Sequence, residues 1–413
     1  MSGLPSPHAA VSDDDRARRL SIGFINWAHA IDHYVMLILA TAVIELAVVY
    51  GRSYAEVIAL GMPSFIAFGL CSLPAGWLGD RWSRRNMMVL FYLGCGASLV
   101  AAALAPDLAL LAVALAALGA FAAIYHPVGT AMLIEQSTTR GRSVAFNGVC
   151  GNFGVAFAAG ITAGLIYFFG WRGAFLVPAL VCIATGIAYL SLVPDDRHKN
   201  AGRKSAPDVV LTPRVAATMF ALFILIAVSA GLVFHISTNA LPKIVDERAG
   251  FPASLLQVGG ITTLILMCGA VAQFSIGRLV DKFPLHLLFA GIALLQFFGV
   301  VWVAYATGPT LAFALAAAVA AIYAQVTVND LVIARYTADA WRARVFAVRY
   351  FVTFLASGAA VSLIAFLHAR GGFDLVLSAM AVIALGFVVG TFAIAVLVNS
   401  AEKVRRKVAQ PAE

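Results

Sequence analysis

Followed for hydrophobic and polar positions, the chain is a succession of long apolar runs separated by short charged or turn-forming segments. The runs fall at 21–48, 55–78, 86–105, 108–134, 143–169, 173–193, 215–241, 254–277, 284–306, 309–334, 345–368 and 372–398. A helix needs about 20 predominantly apolar residues to cross a bilayer, and each run reaches that length. The pattern predicts an all-α membrane protein of twelve transmembrane helices. An even number of crossings puts both termini on one side.

Only one connection is long and polar. Residues 194–214 hold Asp195, Asp196, Arg197, His198, Lys199, Arg203 and Lys204, the composition of a flexible linker. It separates a polar N-terminal tail at 1–20 and a six-helix bundle at 21–193 from a second six-helix bundle at 215–398 and a C-terminal tail at 399–413. With tails and linker on the inner side, the inner segments carry 22 of the 28 Lys and Arg, and the outer loops carry only Arg52, Arg172, Lys243, Arg248 and Arg370. That asymmetry predicts cytoplasmic tails.

The two halves echo one another. Gly76-Trp77-Leu78-Gly79-Asp80-Arg81-Trp82-Ser83-Arg84-Arg85 lies between the second and third runs, and Gly277-Arg278-Leu279-Val280-Asp281-Lys282-Phe283 between the eighth and ninth. In each, a Gly is followed four positions on by an Asp and then a cation, and the two aspartates stand 201 positions apart. Paired charges keep such a turn out of hydrocarbon and cap nearby helix ends, and the glycine permits close approach. Arg142 and Arg344, and likewise His33 and His235, are 202 apart. The pattern Gly-x-x-x-Asp-Arg-x-x-Arg-Arg resembles the loop signature of the major facilitator superfamily, with Ser83 in place of a third glycine. The resemblance implies two pseudo-symmetric six-helix bundles rocking about a mid-membrane site. It also implies that Gly76, Asp80, Arg81, Arg84 and Arg85, with Gly277, Asp281 and Lys282, form cytoplasmic gating loops.

Composition narrows the function classes. With 62% apolar residues, 12% charged residues and a mean hydropathy of +0.92, this is no ordinary soluble globule, whose charged fraction is about 25%. The net charge of +8 sits in membrane-flanking loops, so nucleic acid is not an expected partner. Cys71, Cys95, Cys150, Cys182 and Cys268 all fall in apolar runs and read as small buried hydrophobes. A Gly-x-x-x-x-Gly-Lys-Ser/Thr loop is missing from the sequence, so no nucleotide cofactor is expected and the driving energy is a gradient.

Ionisable residues inside apolar runs are expensive and mark cavities or partners. His29, Asp32 and His33 stand at i, i+3 and i+4 in the first run, within an arc of about 100°. Three readings of this stripe stand side by side: a proton relay, contact to a transition metal or metal chelate, and hydrogen bonds that hold helices together. The fourth run ends Tyr125-His126-Pro127-Val128-Gly129, where the proline removes a backbone bond, kinks the helix and leaves His126 facing the irregularity.

This His-Pro step, the first-run His and Asp pattern and Gly148-x-x-Gly151-Asn152-x-Gly154 are together similar to the fosmidomycin-resistance branch of the superfamily. That likeness implies export of small molecules in exchange for protons, with His29, Asp32, His33 and His126 as coupling or substrate candidates. Gly151, Gly160 and Gly164 match part of a superfamily antiporter motif, but Leu165 replaces its proline and Phe168-Phe169 its closing glycines. The other reading of these glycines, and of Pro127, is helix packing. In the second half Asp330 and Arg349 lie at similar depth and are predicted to pair. His235 and Asn239 give the seventh run a polar outer end and join the substrate candidates.

The expectation is a proton-coupled efflux transporter, a drug:proton antiporter rather than an enzyme. Its partners are a small-molecule substrate, protons and lipid, with no resident metal or cofactor and a monomeric state, in a bacterial inner membrane. Transport of an organic anion or metal chelate is the runner-up, motivated by the histidines and Arg349. A membrane-embedded enzyme and a transporter-like sensor are the readings from other classes.

Overall fold

The computed structural model describes residues 13–137, 139–194, 213–337 and 339–409, and among these every regular element is helical. In chain order they are α1 (Asp13–Tyr50), α2 (Tyr54–Ile58), α3 (Met62–Arg81), α4 (Arg84–Leu104), α5 (Leu108–Ala122), α6 (Thr130–Gln136), α7 (Arg140–Leu192), α8 (Pro213–Arg248), α9 (Leu255–Val280), α10 (Leu285–Tyr305), α11 (Pro309–Tyr336) and α12 (Asp339–Ala409). A 3-10 turn, Ala59–Gly61, joins α2 to α3, and a π-helical turn, Tyr125–Gly129, joins α5 to α6.

Among the described residues, ten helical stretches are long and apolar enough to cross a membrane. Two of them, Arg142–Leu192 and Phe351–Ser400, have 51 and 50 residues. At 1.5 Å per residue such a helix would run about 75 Å, more than twice the hydrocarbon thickness. Neither is continuous. α7 breaks at Gly170, with φ 68° and ψ 176°, and α12 at Gly371 and Gly372, the latter with φ 58°. Glycine alone takes such angles without strain. Both breaks fall where the sequence separates its fifth run from its sixth and its eleventh from its twelfth, so the ten stretches contain the length of twelve crossings.

Side-chain caps fix the turns. Ser53 and Glu56 form a reciprocal capping box at α2, and Ser254 and Gln257 form the same box at α9. The cap serines are 201 positions apart, so the duplication extends to the way helices begin. Asp107 caps α5 by accepting from Leu110 N at 2.8 Å.

Helices run on into the expected tails. α1 starts at Asp13, inside the tail predicted at 1–20, and α12 continues to Ala409, beyond the predicted end at 398. Asp, Arg, Lys and Glu end a hydrophobic run without ending a helix, since most are fair helix formers. Residues 1–12, 195–212 and 410–413 lie outside the described residues, and with them most of the predicted linker. The cysteine expectation needs a correction: Cys95 and Cys182 are buried, but Cys268 is exposed on α9. An exposed apolar position on a membrane helix meets lipid, so an apolar run alone does not say which face is inside.

The two halves pack through α1 against α8, α3 against α12 and α7 against α9. One buried cluster runs through both, from Ile25 on α1 to Ala384 on α12. Polar contacts pin the α7–α9 seam: Asn152 Nδ2 donates to Gln273 Oε1 at 2.8 Å, and Gly160 N donates to Thr263 Oγ1 at 3.0 Å.

Candidate functional site

α1 carries His29, Asp32 and His33 on one face, as the i, i+3, i+4 spacing predicts, and the π turn brings His126 to meet them. His126 Nε2 lies 3.4 Å from Asp32 Oδ2. His33 Nε2 is 3.2 Å from His29 Nε2, and the His29 and His126 rings meet edge to face at 5.4 Å. Asp32 is 1% exposed and its Oδ1 has no hydrogen-bond partner; His126 Nε2 likewise makes none of good geometry. The three histidines are half-buried, whereas Asp32 between them is enclosed.

Local sequence explains the arrangement. Pro127 supplies no N–H, and the backbone there widens into a π turn. The His126 ring then projects between α1 and the second half, 5.2 Å from the ring of Phe354 on α12 and 6.0 Å from Phe68 on α3. On the other side, His29 Nδ1 is 2.8 Å from the backbone oxygen of Asn147 on α7. A carbonyl only accepts, so Nδ1 carries the proton and donates it. His29 Nε2 is thereby left as a bare lone pair facing His33, whose Nε2–H donates to it. Tyr125 stacks on His29 at 4.8 Å and donates to Asn147 Oδ1 at 2.9 Å, while Asn147 Nδ2 donates to Asn26 Oδ1 at 3.0 Å.

Gly151 is more than a packing glycine. A Cβ built there would lie 2.5 Å from His29 Nε2, and one at Gly154 would lie 2.2 Å from Ala30 O. Both glycines let α7 approach α1 closely enough to seat the imidazole. Gly160 abuts Thr263 across the seam, with 2.8 Å from a built Cβ to Oγ1. Gly164 has open space at that position, which corrects its reading as a close-packing glycine.

The second-half candidates divide. His235 sits 6.3 Å ring to ring from Phe65 of the first half, and its Nε2 has no hydrogen-bond partner. Asn239 Nδ2 donates to His235 O at 2.9 Å, and Asn239 lines a small cavity between the halves with Met36, Phe65 and Val361. Arg349 Nη1 donates to Asp330 Oδ1, the pairing their shared depth predicts.

The turn between α3 and α4 is a tied structure. Arg84 bridges Asp80 at 2.7 Å and Glu135 on α6 at 2.8 Å, Arg81 stacks on Trp77, and Arg85 Nε donates to Val193 O at 3.0 Å. A Cβ at Gly76 would be 3.1 Å from Pro127 Cβ, so the loop's glycine backs the π turn. Ser83 replaces the third glycine of the signature and caps α4 through Asn86 N at 3.1 Å. The second copy is built differently. Gly277 has open space where a Cβ would be, and Asp281 and Lys282 are exposed at the end of α9, so close approach is not the reason for that glycine.

Sequence reasoning missed Asn147, Asn26 and Phe354. The asparagines had a signal, being uncharged polar groups within apolar runs; Phe354 had none.

The sequence profile of the Major Facilitator Superfamily matches residues 24–360. The multidrug efflux pump LfrA of Mycolicibacterium smegmatis is 29% identical over 140 residues, 33% of this chain and 28% of that protein. A probable sugar efflux transporter of Mannheimia succiniciproducens is 22% identical over 228 residues, 55% of this chain and 56% of that protein. The matched regions thus span about a quarter and about half of those curated relatives. Among solved structures, a bacterial homologue of the human lysosomal transporter Spinster, inward-facing and occupied, superposes with a TM-score of 0.71 at 13% identity, covering 91% of this chain and 93% of that one. A D-xylose–proton symporter superposes with a TM-score of 0.68 at 16% identity, covering 91% and 97%.

Proposed function

The chain belongs to the major facilitator superfamily and is a multi-pass membrane protein, and from that premise we propose that it exports small molecules against inward proton flow by alternating access. The observation that carries this reading is the half-buried cluster of His29, Asp32, His33 and His126, seated where the first half meets α12 and holding orphan polar atoms. Efflux is the activity named for both curated relatives.

In the proposed cycle Asp32 or a neighbouring imidazole takes a proton from the outer side. Protonation changes the interaction between Asp32 and His126, and with it the fit of the π turn against Phe354. The halves then rock, the proton leaves inward and substrate leaves outward. The bundles at 21–193 and 215–398 are the moving bodies, the turns at Asp80 and Asp281 lie on the cytoplasmic side with the tails, and the transporter works as a monomer in a bacterial inner membrane. His235 and Asn239 face substrate from the second half, and the Asp330–Arg349 pair acts as a latch.

The test is reconstitution into liposomes with an internal pH dye, challenged with ethidium, a panel of antibiotics and simple sugars. The reading expects at least one compound to drive proton movement in the wild type and not in Asp32→Asn. Movement of compound with no accompanying proton flux, or unchanged coupling in Asp32→Asn and in the His→Gln variants, overturns it.

A further inference from the structure

Beyond proton binding, the ring nitrogens of this cluster converge in a way that fits a metal ion, the proton on His33 Nε2 moving to Nδ1 or leaving as the ion binds. The ligand nitrogens of His29, His33 and His126 all lie within 4.8 Å of one another, and His29 and His33 already stand 3.2 Å apart. Three imidazoles around a tetrahedral ion at 2.0–2.1 Å stand about 3.3 Å apart, so a closure of roughly 1.5 Å brings the set to coordination distance. The His29 ring is prepared for it. Its Nδ1–H is held by Asn147 O at 2.8 Å, the outer-shell arrangement that orients metal-binding histidines and leaves Nε2 bare. Tyr125 fixes the ring plane by stacking, and Gly151 clears the space beside Nε2. His126 Nε2 faces Asp32 Oδ2 at 3.4 Å, a contact that a bound ion replaces while keeping the carboxylate beside it.

We propose that His29, His33 and His126 bind a divalent transition-metal ion, with Asp32 supplying the negative charge that such an ion needs in an apolar interior. Three nitrogen donors select the borderline ions, Zn2+, Co2+, Ni2+ or Cu2+, over Mg2+ and Ca2+, which demand oxygen. Asp32, 1% exposed and 3.4 Å from His126, offsets one of the two charges. The inference rests on the exporter reading for its consequence: ion and protons compete for the same nitrogens, which makes a metal ion or its chelate the substrate class exchanged for protons.

Purified transporter in detergent, titrated with Co2+, tests the site without any gradient. The expected result is one Co2+ per chain with the visible bands of a low-symmetry, nitrogen-rich site, displaced by Zn2+. Affinity falls by about tenfold or more in His33→Gln and in His126→Gln. His286→Gln, whose side chain is bound elsewhere to Asn399 and Tyr336, retains it. X-ray absorption at the zinc edge of the wild type, expected to show three imidazoles, needs no variant to fold. Absence of Co2+ binding, equal binding in the double His33→Gln/His126→Gln variant, or an all-oxygen zinc environment overturns the proposal. Proton-coupled export of an organic compound without Co2+ binding leaves the exporter reading intact, and Co2+ binding without proton flux sinks that reading alone.

Discussion

The backbone oxygen of Asn147 accepts a hydrogen bond from His29 Nδ1–H, and that one contact decides which face of the imidazole is available to the cluster. Residue by residue, the site depends on such details. His29→Gln and Asp32→Asn are each expected to lower proton-coupled flux by about tenfold or more with the protein still monodisperse, as read from the pH dye in liposomes and by size exclusion. Gly151→Ala places a methyl group 2.5 Å from His29 Nε2, so the ring is forced to move and Co2+ affinity and coupled flux fall together. The histidines and Asp32 were legible in the sequence because ionisable groups are rare in apolar runs. The role of Gly151 was not: a glycine pattern reports that something comes close, and only the structure says that it is an imidazole.

At the scale of elements, the π turn and the helix breaks matter most. Pro127 announces an irregular α5–α6 junction, and its effect was readable because a missing N–H has one local consequence. The breaks in α7 and α12 were readable too, since glycine at Gly170 and Gly372 sits between apolar runs of crossing length. Gly170→Ala forces a side chain into φ 68°, ψ 176° and is expected to destabilise the fold by about 1–3 kcal/mol, seen as a lower thermal midpoint in detergent. Between α11 and α12, Arg349→Ala leaves Asp330 unpaired. A loss on the order of 2 kcal/mol is expected, below that of a fully buried pair because the Asp330 side chain is 38% exposed. The double Asp330→Leu/Arg349→Met variant is expected to recover most of it, which urea or thermal titration of the three variants checks. Where the helices end was less legible, because the charged stretches after Asp13 and before Ala409 stop hydrophobicity without stopping helix.

For the whole molecule, the tandem repeat carried the fold, as the 201-residue spacing of the loop aspartates and the cap serines attests. The repeat does not extend to chemistry. The turn between α3 and α4 is tied to α6 and to the end of α7 by Arg84 and Arg85, whereas Asp281 and Lys282 stand exposed. His33 sits in the cluster while His235, its sequence counterpart, packs against Phe65 and Phe234. The first half holds the clustered histidines and Asp32, and Phe354 of the second half packs against His126. The proposed alternating access driven by protonation has a direct signature. Spin labels at Trp82→Cys and Phe283→Cys, exposed positions in the two equivalent turns, report the separation of the halves by pulsed dipolar spectroscopy once the five native cysteines are replaced by alanine. Two distance populations whose ratio shifts between pH 8 and pH 5.5 in the wild type, and stays fixed in Asp32→Asn, are the predicted result; a single distance, or the same shift in both proteins, contradicts the account.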